Sequence, residues 1–228
     1  MSKSVERASI VQKATRPHKA KPIKPRTIET IADIRAGAIA LRKVCPSMRR
    51  IHDLVGDPPL RRNASGFVGL AQVVVGQQLS IASAAAIWKR VVVAVDPFDA
   101  PTLLAQSDAT LRGAGLSQGK VRTLRAAAEA VRSGALRLDE RQSDETLREA
   151  LLGITGIGPW TADIYTMFCL GHADGFAPGD LALQIAAQRA LDLDCRPSAQ
   201  DLVEIAERWR PWRGVAARLL WAFYVHRA

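Results

Sequence analysis

The residues of this chain with the most chemistry in them lie between positions 151 and 184, LLGITGIGPWTADIYTMFCLGHADGFAPGDLALQ. Gly153, Gly156 and Gly158 fall too close together for a helix interior, because a residue without a Cβ supplies turn conformations that others resist. Upstream, SDETLREALLG offers Ser143 or Asp144 as an N-cap and Leu147, Leu151 and Leu152 as an apolar stripe. Downstream, Pro159 suits the first turn of a helix, and WTADIYTMFCL runs unbroken to Gly171. The segment reads as a glycine-punctuated hairpin between two helices. Backbone N–H groups at Gly156, Gly158 and Thr161 then face outward from a helix N-terminus, where unpaired donors and the helix dipole favour an anion such as phosphate. By itself such a corner is also an ordinary helix-helix turn. A loop follows, and Asp180 stands after Pro-Gly at the head of a third helix, where on its own it is an N-cap. Asp174, in the same glycine-rich loop, reads as a turn residue.

The elements that must hold this segment are helical. The chain has 228 residues, 48% of them apolar, enough to bury a sizeable core as one domain or two closely joined lobes. Alanine is abundant, aromatics are few, and no apolar/polar alternation persists between turn signals, so the fold class is all-α. Helices are predicted over 28–44, with Ile31, Ile34, Ala38 and Leu41 on one face, and over 66–78 and 81–95, both mostly buried. Further helices are predicted over 101–106, 108–114, 120–132, 181–191, 199–209 and 213–226, with a turn at Asp57-Pro58-Pro59. The hairpin occupies about 144–170 of a core spanning 27–228. Residues 1–26 carry eight Lys/Arg, one acid and three prolines, which predicts a disordered basic tail; the prolines weigh against a transit helix.

Charge and cysteine usage narrow the partner classes. A formal net charge of +10 favours a polyanion through phosphate contacts and counterion release, and nucleic acid is the partner that this predicts. Cys45, Cys169 and Cys195 lie far apart, with no ligand spacing for zinc and too few thiolates for an iron–sulfur cluster. No apolar run approaches the length needed to cross a bilayer and the N-terminus has no signal-peptide stretch, so the expectation is no membrane and a cytoplasmic protein, nucleoid-associated when bound to DNA.

Four segments in combination resemble the helix-hairpin-helix superfamily of DNA glycosylases, and within it the DNA-3-methyladenine glycosylase II branch. They are LLGITGIGPWTA with FAPGD following it, VVVGQQLS at 73–80, GLSQGK at 115–120, and ERWRPWRGVAARLLWAF at 207–223. The resemblance implies two helical lobes with a DNA-facing cleft between them, without the N-terminal β domain of larger relatives. It implies that Asp180 is the catalytic carboxylate, facing the sugar as the glycosidic bond breaks. Trp160 stands where relatives that also cut the backbone carry a lysine, so no Schiff base is expected and water is the nucleophile. Trp160 and Trp221 map to aromatic pocket positions suited to a cationic purine. Ile164 occupies the place where relatives often put a stacking tyrosine, with Tyr165 shifted by one.

Gln78 corresponds to the side chain that relatives push into the gap left by a flipped base, or else it is a polar residue at a helix end. In the superfamily a monovalent cation, Na+ or K+, often sits in the hairpin, on carbonyls that map to Leu152, Ile154 and Gly156. No other cofactor is required. The implied activity is a monofunctional glycosylase that removes 3-methyladenine and 7-methylguanine from double-stranded damaged DNA as a monomer. The alternatives are a glycosylase for a deaminated or oxidised base and a non-catalytic DNA-binding module. The WRPWRG turn at 209–214 either touches phosphate or packs at the lobe junction.

Overall fold

A computed structural model describes residues 26–138 and 144–226. Among them the regular elements are α-helices with one short 3-10 turn, and no strand. The expected basic tail lies, Arg26 apart, outside the described residues, as does Ser143.

One group of helices joins the two ends of the chain. α1 (Ile31–Val44) starts at Thr30, which forms a capping box with Asp33, and buries Ile34, Gly37, Ala38 and Leu41. Ile31 is half-exposed, because it lies in the first turn, ahead of the stripe that reaches the core. α2 (Pro46–Val55) was not anticipated: Cys45 is at once the C-cap of α1 and the N-cap of α2, so no turn residue separates them, and only Met48 and Ile51 of an arginine-rich helix are buried. These two pack with α10 (Leu181–Ala190) and α12 (Arg213–Val225), and α11 (Ala199–Ala206) packs on α10. Gly37 lets Trp212 and Val215 lie against α1, where a Cβ would come within 2.7 Å of both.

The second group is built on α3 (Gly66–Gly76), apolar nearly all round and buried accordingly. α4 (Ile81–Ala94), α7 (Gln118–Arg132) and α9 (Pro159–Phe168) pack on it; α5 (Ala100–Ala105) and α6 (Asp108–Gly113) pack on α7. α4 corrects the sequence expectation of a mostly buried helix: only Val91 is fully buried, and Ile81 is 80% and Val93 82% exposed. It is an outer helix whose other face looks to solvent. α8 (Asp144–Leu152) and α9 form the hairpin, with Gly158 as N-cap and Pro159 opening α9.

The loop from α9 to α10 is tied to α12. Asp174 accepts from Arg213 Nε and Nη2, both at 2.9 Å, and also pairs with Arg210; Gly214 N donates to Ala173 O at 2.7 Å. Asp174 is therefore an ion-pair node, more than a turn residue. The WRPWRG turn resolves to packing: Trp209 and Trp212 are buried, and the largely covered Arg213 and the half-exposed Arg210 both pair with Asp174.

Candidate active site

Where the two groups of helices meet, a cleft of about 560 Å³ opens, walled by Trp160, Ile164 and Phe168 of α9 and by Trp221 of α12, with Asp180 at its edge. Asp180 caps α10, its Oδ1 accepting from Leu183 N at 3.0 Å. The same Oδ1 accepts from Trp221 Nε1 at 3.0 Å, and Oδ2 accepts from Trp160 Nε1 at 2.9 Å. The cap expected of Asp180 is present and fixes the carboxylate at the helix N-terminus, and one indole from each helix group holds its orientation. Both tryptophans are half-buried with their N–H edges on the acid.

Ile164 lines the cleft as expected, while Tyr165 is fully buried, its hydroxyl accepting from Gly66 N at 3.1 Å. The one-residue shift turns the tyrosine into the core. At the hairpin, Gly156 and Gly158 are exposed. Thr161 is only 2% exposed, and its hydroxyl accepts from Gln77 Nε2 at 2.8 Å, so of the three expected phosphate-facing residues only the two glycines are exposed. Gly156 sits at φ +85° with its Cα against Thr123 of α7, so a side chain is excluded both by conformation and by space.

The α3–α4 turn stands beside the hairpin. Gln78 is exposed at its tip at φ +55°, a left-handed conformation uncommon for a residue with a Cβ. Of the hairpin carbonyls, that of Ile154 accepts from Ile157 N at 3.0 Å and that of Gly156 from Gln77 Nε2 at 3.3 Å, while Leu152 ends α8. A carbonyl has two lone pairs, so neutral hard donors of this kind fit a monovalent cation.

Four further residues come together here. Phe168 was legible as the third member of a stripe with Trp160 and Ile164 at four-residue spacing. Gln77 links the α3–α4 turn to the hairpin, and Lys120 clamps that turn by donating to Val75 O at 2.7 Å and Gln77 O at 2.9 Å; burial holds its ammonium below the usual lysine range. GLSQGK stands out in sequence, but nothing local says what its lysine holds. Arg218, one turn before Trp221, also lines the cleft. A second chamber of about 530 Å³ continues from the first past Trp160 and Phe168 toward Gln72 and Trp88.

A helical fold that sets a hairpin beside a cleft with a carboxylate held by indoles defines a base excision repair protein of the helix-hairpin-helix type. The chain belongs to the HhH-GPD superfamily of base excision DNA repair proteins, whose family model matches residues 71–211. Its particular likenesses lie in the methyladenine branch. A DNA-3-methyladenine glycosidase from Bacillus halodurans superposes with a TM-score of 0.71 at 31% identity, over 88% of this chain and 93% of that one. The Schizosaccharomyces pombe 3-methyladenine DNA glycosylase in complex with abasic DNA superposes with a TM-score of 0.76 at 27% identity, over 82% and 95%. A Mycobacterium tuberculosis protein described as a probable bifunctional transcriptional activator/DNA repair enzyme AlkA is 36% identical over 109 residues, 48% of this chain; the chain spans only 21% of that protein's length.

Proposed function

We propose that this protein is a monofunctional DNA glycosylase that hydrolyses the N-glycosidic bond of alkylated purines, 3-methyladenine and 7-methylguanine, in damaged duplex DNA and leaves an abasic site. The observation that carries the reading is the Asp180 carboxylate held by Trp160 Nε1 and Trp221 Nε1 at the edge of a cleft roomy enough to admit a base. Gly156 and Gly158 are exposed in the turn that leads into α9, where backbone N–H groups suit a phosphate, and Gln78 at its strained turn suits the gap left by the rotated base. A purine methylated at a ring nitrogen is cationic and a good leaving group, and an indole face attracts it with a cation–π term of roughly 0.5–2 kcal/mol.

As the C1′–N bond breaks, its electron pair leaves with the base and positive charge develops on the sugar. The carboxylate of Asp180 stabilises that charge and orients a water, whose oxygen bonds to C1′ and whose proton passes to the carboxylate and on to solvent. No lysine lines either chamber among the described residues, which supports hydrolysis without a Schiff base. The hairpin carbonyls of Leu152, Ile154 and Gly156 would hold a Na+ or K+, whose charge would add to the pull on the phosphate. The test is release of free methylated base from alkylated duplex. Asp180→Asn lowers release about a thousandfold while duplex binding persists; turnover within about tenfold of wild type in that variant refutes the assignment.

A further inference from the structure

We infer that Arg218 is a specificity-determining residue of the base cleft: its guanidinium shifts preference toward bases that enter neutral and away from bases that enter as cations. The inference rests on the glycosylase reading and concerns the same cleft. Arg218 is 3% exposed, yet it belongs to the cleft lining. Its guanidinium carbon stands 4.7 Å over the ring of Phe168, which in turn lies 5.6 Å from the ring of Trp221. Nη1 donates to Gly214 O at 2.8 Å and Nη2 to Met167 O at 3.1 Å, while Nε has no partner among the described residues. Every partner is a neutral carbonyl. Burial, and then the neighbouring Arg62 and Arg61, push its pKa down to about 10, which still leaves it charged at neutral pH.

The one acid in the lining is Asp180, whose oxygens already accept from two indoles and a backbone amide. Arg61 lines both chambers and adds a second positive group. An alkylated cationic purine meets like charge in a partly desolvated site, and some of that charge persists in the transition state. A neutral purine lesion meets none. When its C1′–N bond breaks, the electron pair makes the base anionic until it takes a proton from solvent, and a fixed guanidinium stabilises that negative charge. On kcat/KM the two effects have opposite sign, whereas the sugar cation is common to both substrates and cancels in their ratio.

The experiment measures kcat/KM for hypoxanthine and for 7-methylguanine in otherwise identical duplexes, with the wild-type protein, Arg218→Met and Arg218→Lys. The hypoxanthine to 7-methylguanine ratio is expected to fall at least about tenfold in Arg218→Met and by less in Arg218→Lys, which keeps the charge. A smaller fall in Arg218→Met, an equal fall in Arg218→Lys, or no hypoxanthine release by the wild-type protein overturns the inference. A lowered folded fraction scales both rates alike and leaves the ratio intact. If Arg218→Met does not fold, Arg218→Gln, also uncharged, is judged by the same thresholds. Release of 7-methylguanine by the wild-type protein tests the glycosylase reading separately, since its absence sinks that reading and its presence with an unchanged ratio sinks only this one.

Discussion

Replacing Asp180 by asparagine separates the chemistry of the carboxylate from its structural work. Asparagine is as good an N-cap as aspartate, so one amide oxygen can keep the contacts to Leu183 N and Trp221 Nε1, each now at 3.0 Å. The amide nitrogen then replaces the oxygen that accepts from Trp160 Nε1 at 2.9 Å, and a donor faces a donor. Losing a hydrogen bond to a charged group costs about 1.5–3 kcal/mol, or a fall of about 3–12 °C in unfolding temperature for a chain of this size.

The catalytic loss is larger. At ~4 Å from a sugar cation and an effective dielectric constant of ~20, a carboxylate contributes about 4 kcal/mol, or about a thousandfold in rate. Single-turnover release of 7-methylguanine measures the rate, and thermal unfolding measures the stability. Trp160→Phe in the Asp180→Asn background removes the opposed donor, so it is expected to restore part of the lost stability and none of the rate. A folded Asp180→Asn variant within about tenfold of wild-type turnover would falsify the electrostatic account of this acid.

Gly156→Ala places a methyl on Thr123 at φ +85° and is expected to cost about 1–3 kcal/mol of stability with loss of duplex binding, measured by thermal unfolding and fluorescence anisotropy. Gly158→Ala meets no atom within 4 Å and serves as the contrast, with stability within about 0.5 kcal/mol of wild type. Gln77→Ala cuts both bonds from the α3–α4 turn to the hairpin, at 3.3 and 2.8 Å, and is expected to lower kcat/KM for base release about tenfold through mispositioning. Asp57 is held below the usual carboxylate range by Arg35 first and His52 second; its stabilising contribution is full above the unfolded value and is lost as pH falls through the lowered one. The wild-type unfolding temperature is therefore expected to drop between about pH 5 and pH 3, and Asp57→Asn to flatten that slope.

Much of this protein is decided locally and is readable in its letters. The three crowded glycines and Pro159 specify the hairpin, because conformational freedom at a turn and a missing N–H at a helix start are properties of single residues. The stripe of Ile34, Ala38 and Leu41 specifies α1 by its period, and Pro-Gly-Asp before LALQ specifies the head of α10. Asp180, Trp160 and Trp221 were each legible in the combined motifs.

Tertiary structure alone decided how these residues share atoms. A carboxylate that caps a helix and accepts from two indoles lies 20 and 41 residues from them in sequence, beyond any local pattern. Gln77 and Lys120 acquire their roles in the same way, by bonding to backbone carbonyls of turns far away in sequence. α2 was hidden because Cys45 ends one helix and starts the next, leaving no turn residue as a boundary. Apolar residues in α4 gave no sign that most of them face outward, and an arginine in RLLWAF gave none that its charge lies against Phe168 in the wall of a cleft. Backbone propensity is carried by near neighbours along the chain, whereas burial and electrostatic company are set by whichever helix packs alongside.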